Sequence, residues 1–240
     1  MSWIQKLIKE CGGKSSEGKK DKNFYPTLKL FVTVGPPGIG KTTWVENNLK
    51  NRNPYIVSRD DIIEEVATKV GWDVEDIFVV PDKNSKVGSV HEKYGTVIPA
   101  PPWIPWHKHV FTNVQSSNEE IHSLFKKKSR DAVRYERDIV FDMTNMHASA
   151  RSKCLLAVKG FEKRYEKILI VFKFDDIEDT ILKISKSRKK NIPESTIKKM
   201  MRRYEKPSLD EGFDKIVEVD NRDKLSKIVD SLSRDHEVDT

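Results

Sequence analysis

Short apolar runs recur along the chain and are separated by longer amphipathic segments. The first run, LKLFVTV (28–34), is continuous, which is typical of a strand buried on both faces of a parallel sheet. Similar runs predict strands at 54–58, 138–142, 167–174 and 215–220. Between them, helices are predicted at 41–50, 61–69, 118–136, 149–165, 177–187, 194–204 and 222–233. This alternation predicts an α/β fold: one parallel sheet of about five strands, joined by right-handed crossovers and flanked by helices.

The amino-terminal segment stands outside this alternation. Residues 1–10 predict a short amphipathic helix with Trp3, Ile4 and Leu7 on one face. A Gly-, Ser- and Lys-rich stretch at 11–27 predicts a flexible linker, so the domain proper is expected at 28–240. Two roles are equally compatible with this helix: packing against the domain, or docking on a partner or a membrane surface.

A second irregular segment lies at 72–116. It is rich in Pro, Gly and Trp and keeps no helical period. A connection of this length inside a compact domain is usually functional or forms a subdomain. We therefore interpret it as an insertion close to the substrate.

Composition narrows the class of protein. Of the 240 residues, 37% are hydrophobic and 34% charged, which is typical of a globular chain. The net charge of +7 is compatible with a polyanionic partner. No apolar run approaches the ~20 residues of a membrane span, and the first residues lack a secretory signal. The two cysteines, Cys11 and Cys154, have no metal-ligand spacing and indicate a reducing compartment, so we expect a cytoplasmic protein with an exposed Cys11 and a buried Cys154.

The stretch GPPGIGKTTW (35–44) follows the first predicted strand and opens the first predicted helix. It matches the phosphate-binding pattern G-x-x-x-x-G-K-[ST], in which backbone N–H groups and a helix N-terminus surround phosphate oxygens. The residues expected to bind ATP are Gly35, Pro37, Gly38, Ile39, Gly40, Lys41, Thr42 and Thr43. Lys41 is expected to reach the outer phosphates, and the Thr42 hydroxyl to ligate Mg²⁺. The chain is therefore predicted to be a P-loop NTPase.

Two aspartates follow the second predicted strand in VSRDD (57–61). In open α/β sheets, ligands bind at the carboxyl ends of the strands, so both would face the γ-phosphate. A kinase needs a carboxylate there to orient an acceptor hydroxyl and take its proton. We expect Asp60 to be this general base, Asp61 to cap the following helix, and Arg59 to contact the substrate.

The third motif is VFDMTN (140–145), an apolar strand that ends in a carboxylate. Asp142 is the second acidic group expected of a P-loop enzyme, where it holds Mg²⁺ or orients the acceptor. Thr144 and Asn145 are expected to contact the substrate. The alternative is that Asp142 and Thr144 only cap the helix that starts near Ala148.

The fourth motif is the basic segment KISKSRKKNIP (183–193). Clustered cations after a strand–helix turn are typical of a lid over the triphosphate, where an arginine stabilises charge on the transferred phosphoryl group. Arg188 is the first candidate, with Lys186, Lys189 and Lys190 as neighbours. A solvated basic helix is the alternative.

In this order, the stretches GPPGIGKTTW, VSRDD, FDMTN and the basic lid before NIPESTIKKMMRRYE resemble the phage-type polynucleotide 5′-hydroxyl kinase family. The resemblance covers most of 28–220 apart from the insertion, and PSLDEGFDKIVEVD (207–220) resembles a segment of related P-loop kinases. It implies that Lys41 and Thr42 bind nucleotide and magnesium. It also implies that Asp60 is the base, that Asp142 lies on the acceptor side, and that Arg188 belongs to the lid. A virus-encoded enzyme acting on nucleic acid in a host cytoplasm would follow.

The chain departs from this family pattern beside the acceptor. Where the family often has an arginine after the paired aspartates, this chain has Ile62 and Ile63. The insertion contains PPWIPWHKH (101–109), in which Trp103 and Trp106 stand beside positive charge, an arrangement that suits stacking of single-stranded or flipped bases. Filling a small core of the insertion is the alternative for both tryptophans. The basic runs at 126–130 and 198–203 fit phosphate contacts and solvated helix faces equally well.

These motifs favour a kinase over other P-loop proteins. A switch would need a guanine-reading N-K-x-D motif, and a motor would need a helical domain after the sheet. The acceptor is expected to be a nucleic-acid hydroxyl, most simply the 5′-hydroxyl of DNA or RNA. A hydroxymethylated base within DNA and a nucleoside or small metabolite are the other candidate acceptors. A nucleotide-regulated binding module that transfers no phosphate is the alternative of a different class.

Overall fold

A computed structural model describes residues 28–69, 71, 117–188, 192 and 194–235. The predicted helix at 1–10, the linker at 11–27 and the insertion at 72–116, with Trp103 and Trp106, lie outside the described residues. So do Cys11 and the lid residues Lys189 and Lys190. The predictions made for them stay predictions.

Five parallel strands form one sheet in the order β2-β3-β1-β4-β5. Their bounds are β1 (Leu28–Val34), β2 (Tyr55–Ser58), β3 (Ile139–Asp142), β4 (Tyr165–Phe172) and β5 (Lys215–Val219). The central strand β1 places Phe31 opposite Val140 of β3 on one side and Ile168 of β4 on the other. The predicted α/β fold with a five-stranded parallel sheet is confirmed.

Seven α-helices lie in the described part of the chain, and none of them is long and apolar enough to cross a membrane. Their bounds are α1 (Lys41–Leu49), α2 (Arg59–Lys69), α3 (Ser117–Arg134), α4 (Ala148–Leu155), α5 (Glu178–Ser187), α6 (Glu194–Arg202) and α7 (Arg222–Asp235). The helix predicted at 149–165 is wrong in its second half. Two 3₁₀ turns replace it, separated by Gly160 at φ 87°, and the next strand begins already at Tyr165.

The alternation of side chains along each strand divides the core into two layers. From β1, Leu30, Val32 and Val34 enter the layer beneath α2, α3 and α4, and Phe31 enters the layer beneath α1, α5, α6 and α7. Apolar side chains are needed on both faces because helices cover both, which explains why the run at 28–34 is continuous rather than alternating. Cys154 is fully buried in the first layer, as expected from the sequence.

The strand order explains which functional side chains can meet. Strand β3 lies between β1, which leads into the glycine loop, and β2, which leads into the paired aspartates. Ser58 at the end of β2 is the register partner of Asp142 at the end of β3. The carboxyl edge of three adjacent strands therefore carries the phosphate loop, Asp142 and Asp60, in that order across the sheet.

Candidate nucleotide-binding and catalytic site

The loop at 35–40 turns the chain from β1 into α1 and exposes backbone donors at the start of the helix. Gly40 is the N-cap residue at φ 86°, a left-handed conformation that a side chain would strain. A Cβ on Gly35 would lie 3.1 Å from both Ile39 and Phe172. Helix α1 has neither a side-chain cap nor an acidic residue in its first turn, so its N–H groups and its dipole are directed towards an anion.

Two distant parts of the chain hold this loop in shape. The N–H of Gly35 donates to the carbonyl of Thr144 over 2.9 Å, just past β3. The side-chain amide of Asn221, which follows β5 and is buried, donates to the carbonyl of Ile39 over 3.2 Å. Sequence analysis missed Asn221, because its partner lies 182 residues away and no local pattern joins them.

Lys41 is the electrostatic centre of the site. Its ammonium group donates to the carbonyls of Gly35 over 3.1 Å and Pro36 over 2.8 Å. Burial lowers the pKa of Lys41 to about 8; the Asp142 carboxylate opposes that shift, Arg188 adds to it, and Asp60 opposes it. The charges of all three residues therefore act on one ammonium group, so the four residues proposed for catalysis from sequence are electrostatically linked through Lys41.

Thr42 and Asp142 form the pair expected of a magnesium site. The Thr42 hydroxyl donates to Oδ2 of Asp142 over 2.6 Å, and the other carboxylate oxygen accepts a longer bond of 3.4 Å from Thr33. A hydroxyl and a carboxylate at this place are the donor set with which P-loop NTPases hold Mg²⁺, so these residues fit the ion.

Asp142 is therefore not a helix cap. The N-cap residue of α4 is His147, which makes no side-chain cap bond. The N–H of Ala148 donates instead to Glu205 over 2.7 Å. The alternative in which Asp142 and Thr144 only cap this helix is wrong.

The paired aspartates stand in the first turn of α2, which begins at Arg59 immediately after β2. Arg59, Asp60 and Asp61 are all exposed at the carboxyl edge of the sheet. The predicted cap by Asp61 is wrong: the cap is Ser58, whose hydroxyl accepts from the N–H of Asp61 over 3.3 Å. Since Ser58 supplies the cap, neither carboxylate is needed for it.

Asn145 has a different position from the one expected. Its side chain is 3% exposed, its amide donates to the carbonyl of Thr33 over 2.9 Å, and its backbone is left-handed at φ 43°. We therefore reassign Asn145 from substrate contact to support of the turn between β3 and α4. Thr144 is half-buried in that turn, and its carbonyl accepts the hydrogen bond from the N–H of Gly35.

A buried ion pair supports the same turn from behind. Arg151 of α4 is fully buried and donates to both carboxylate oxygens of Glu211, over 2.6 and 2.7 Å. Its remaining nitrogen donates to the carbonyl of Asn145 over 3.1 Å. The sequence drew attention to the PSLDEGF segment that contains Glu211. It did not indicate that Arg151 is the partner of Glu211.

Replacing Glu211 by glutamine should lower the free energy of unfolding by about 3–5 kcal/mol, because the fully buried Arg151 charge would lose its counter-charge. Urea denaturation followed by circular dichroism measures this. Asp210→Asn, at an exposed carboxylate of the same turn, is the matched control and should change stability by less than about 0.5 kcal/mol. Equal losses in the two variants would show that Arg151 does not depend on Glu211.

The lid follows α5, and the structure distinguishes its two described candidate cations. Lys186 lies 3.5 Å from Glu194, which also pairs with Lys198 over 2.7 Å. Arg188, the C-cap residue of α5, is exposed and acts on the pKa of Lys41. Arg188 therefore stays the lid candidate, since its charge acts on the lysine of the phosphate loop.

The lowered pKa of Lys41 predicts proton uptake when a nucleotide binds. Phosphates favour the charged ammonium, so binding should raise its pKa above about 8. Above that pH the free protein holds Lys41 neutral, and affinity should fall by up to about tenfold per pH unit as the pH rises. Calorimetry at pH 8.5 in buffers of different ionisation enthalpy measures the uptake, and Lys41→Met should abolish it. Buffer-independent heats for the unmodified protein would contradict the prediction.

A parallel sheet in the order 2-3-1-4-5, a glycine loop between β1 and α1, and a lysine, threonine and two aspartates at the carboxyl edge define a P-loop nucleotide-binding domain of the kinase-like kind. A family model described as an AAA domain matches residues 30–207, and the chain belongs to that family.

One of two similar solved structures supports the fold. A candidate kinase from Chloroflexus aurantiacus J-10-fl superimposes with a TM-score of 0.50 over 89% of this chain and 98% of its own, at 13% identity. A gluconokinase from Sinorhizobium meliloti 1021 matches with a TM-score of 0.43 over 85% of this chain and 88% of its own, at 15% identity. At such identities the first match supports a shared fold and does not extend to the reaction. The second match has too low a TM-score to support an argument about the fold.

Proposed function

We propose that the protein is an ATP-dependent kinase that transfers the γ-phosphoryl group to a hydroxyl of nucleic acid, first of all the 5′-hydroxyl end of DNA or RNA. The observation that carries the proposal is the grouping of these residues at one edge of the sheet: Thr42 bonds to Asp142 over 2.6 Å, Asp60 follows the adjacent strand β2, and the charges of Asp142, Arg188 and Asp60 all affect the pKa of Lys41. A nucleotide site alone would need the lysine and Asp142. An exposed carboxylate and an exposed arginine whose charges act on the lysine are what phosphoryl transfer adds.

Each residue has one role in the proposed mechanism. The loop N–H groups and Lys41 bind the phosphates. Thr42 and Asp142 would hold Mg²⁺, which would supply positive charge against the phosphates. Asp60 orients the acceptor hydroxyl and takes its proton as that oxygen attacks the γ-phosphorus in line with the departing ADP oxygen. Arg188 stabilises the negative charge on the transferred group, and Arg59 contacts the acceptor.

The resemblance to polynucleotide kinases supports the 5′-hydroxyl acceptor, and one observation favours a second candidate. Ile62 and Ile63, which occupy the place of the arginine often found in that family, are both buried in the core. This place cannot contact an acceptor phosphate, so recognition has to come from other groups. A hydroxymethylated base within DNA would need no such arginine, because it is reached by unstacking the base rather than by holding a strand end.

The test is transfer of labelled γ-phosphate from Mg-ATP to three acceptors side by side. They are a 5′-hydroxyl oligonucleotide, a 5′-phosphorylated duplex that contains hydroxymethyluracil, and a nucleoside mixture. Label on the oligonucleotide supports the first proposal, and label on the duplex alone supports the second. Label on nucleosides only would replace the polymer by a small acceptor, and no transfer with ATP still bound would indicate a nucleotide-regulated binding module.

A further inference from the structure

Helix α3 packs against α2, the helix that carries Asp60, and against strand β2. It runs antiparallel to α2, as shown by the ion pairs of Lys128 with Glu65 over 2.8 Å and of Lys69 with Glu120 over 3.7 Å. Tyr135, directly after α3, stacks on Tyr55 at the start of β2 with ring centroids 5.8 Å apart. An 18-residue helix is ~27 Å long. It therefore extends from α2, the helix that carries Asp60, to the amino end of β2.

The cations of α3 differ in their surroundings: Lys128 forms an ion pair with the neighbouring helix, and the others are exposed. Lys128 turns inward to Glu65, and Arg134 lies 3.8 Å from Asp131 while its side chain is 79% exposed. The exposed members form what we call the α3 basic face: Lys126, Lys127, Arg130 and Arg134. At 100° per residue these positions span about 100° of the helix circumference, so their charges lie on one side of the helix.

An aromatic ring lies where the α3 basic face ends. Tyr135 is 62% exposed, and one of its faces rests on Tyr55 with an angle of 18° between the rings. A ring held flat by a partner, with cations before it, is the combination on which single-stranded nucleic acids stack and pair their phosphates.

We propose that the α3 basic face and Tyr135 bind a single strand of nucleic acid whose acceptor hydroxyl lies at Asp60. The inference rests on the proposed function and deepens it, because it makes the acceptor a polymer rather than a nucleoside. Lys127, Arg130 and their neighbours contact successive phosphates, and a base stacks on Tyr135. These contacts do not depend on the nucleotide sequence, since every base has an aromatic face that can stack and every nucleotide has a phosphate.

The other basic run, in α6, is the natural comparator. Its Lys198 is paired with Glu194, while Lys199 and Arg203 are exposed, as on α3. Helix α6, however, covers the core layer shared with the lid helix α5, away from α2 and β2. Packing against α2 and β2 favours α3, and the exposed pair of Lys199 in α6 and Arg203 directly after it provides a matched control.

The experiment measures binding of 3′-fluorescein oligothymidylates of 4 and 16 nucleotides, both 5′-phosphorylated, by anisotropy across a salt series. The unmodified protein should bind the longer strand more tightly. Lys127→Gln/Arg130→Gln should weaken 16-mer binding ~10-fold and reduce the salt slope by ~1.4, leaving 4-mer binding nearly unchanged. Lys199→Gln/Arg203→Gln should retain the preference for length. Equal weakening by the two double variants, or no length preference at all, would overturn the proposal.

Tyr135 gives a second, uncharged test. Tyr135→Ala should weaken 16-mer binding at least ~5-fold with an unchanged salt slope, and Tyr135→Phe should restore binding because the ring is kept. Failure of the phenylalanine variant to rescue would contradict a stacking role. Strand binding without transfer to any acceptor would support the binding surface on α3 but refute the kinase proposal and the placement of an acceptor at Asp60. Transfer to short acceptors without length-dependent binding would support the kinase proposal and refute the binding surface.

Discussion

Replacing Arg188 by alanine should lower turnover by about a thousandfold or more while ATP affinity changes little. An arginine that meets the charge developing on a transferred phosphoryl group contributes on the order of 10³ or more in rate. Its contribution exists mainly in the transition state, so ground-state binding is largely spared. Steady-state transfer of labelled phosphate gives the turnover, and calorimetry with a non-hydrolysable ATP analogue gives the affinity.

The matched control for that variant is Lys186→Ala. Lys186 is a lid cation of the same helix that already faces Glu194, so its removal should cost much less activity. If Lys186→Ala proves the more damaging of the two, the lid role belongs to that lysine and the ion pair with Glu194 must open in the active enzyme.

Asp60→Asn should lower turnover by about 10²–10⁴-fold, because asparagine keeps the size of the side chain and cannot take the acceptor proton. ATP affinity should stay close to that of the unmodified protein, since Asp60 acts on the acceptor rather than on the nucleotide. The pair of measurements used for Arg188 applies here as well.

Asp61→Asn tests whether the loss is specific to the first aspartate. The two carboxylates are adjacent, exposed and in the same helical turn, so general effects on the helix dipole should be similar. We expect the Asp61 variant to retain most of its activity. Near-normal turnover in Asp60→Asn would refute the general-base role, and a large loss in both variants would indicate a shared electrostatic function.

The fold could be predicted from the sequence because strands, helices and the glycine loop each leave a local sequence pattern. A continuous apolar run leading into GPPGIGKTTW predicts a buried strand, a glycine loop and a helix in sequence order, and the structure has them at 28–49. The positions of Asp60 and Asp142 at strand ends followed from the same alternation, since all parallel strands end at one edge. The second half of the helix predicted at 149–165 was wrong because Gly160 takes a left-handed backbone that interrupts it.

The supporting contacts could not be predicted, because each joins residues far apart in sequence. Asn145 looked like a substrate ligand from its position after Asp142, and only packing shows that its amide is used by Thr33, 112 residues earlier. The ion pair of Arg151 with Glu211 spans 60 residues between two segments with no common pattern. Local spacing identifies the reacting groups, whereas the contacts that fix their positions depend on the completed fold.

The hydrogen bonds of Lys41 to Gly35 and Pro36 have a consequence for the thermodynamics of nucleotide binding. The lysine already orders the loop from within, and Thr144 and Asn221 fasten it at both ends. The loss of backbone entropy is therefore incurred when the chain folds and not when a nucleotide arrives. When a nucleotide binds, the Lys41 ammonium group exchanges its two carbonyl acceptors for phosphate oxygens, and the loop already has its bound shape. Little of the binding free energy is therefore lost to ordering the loop.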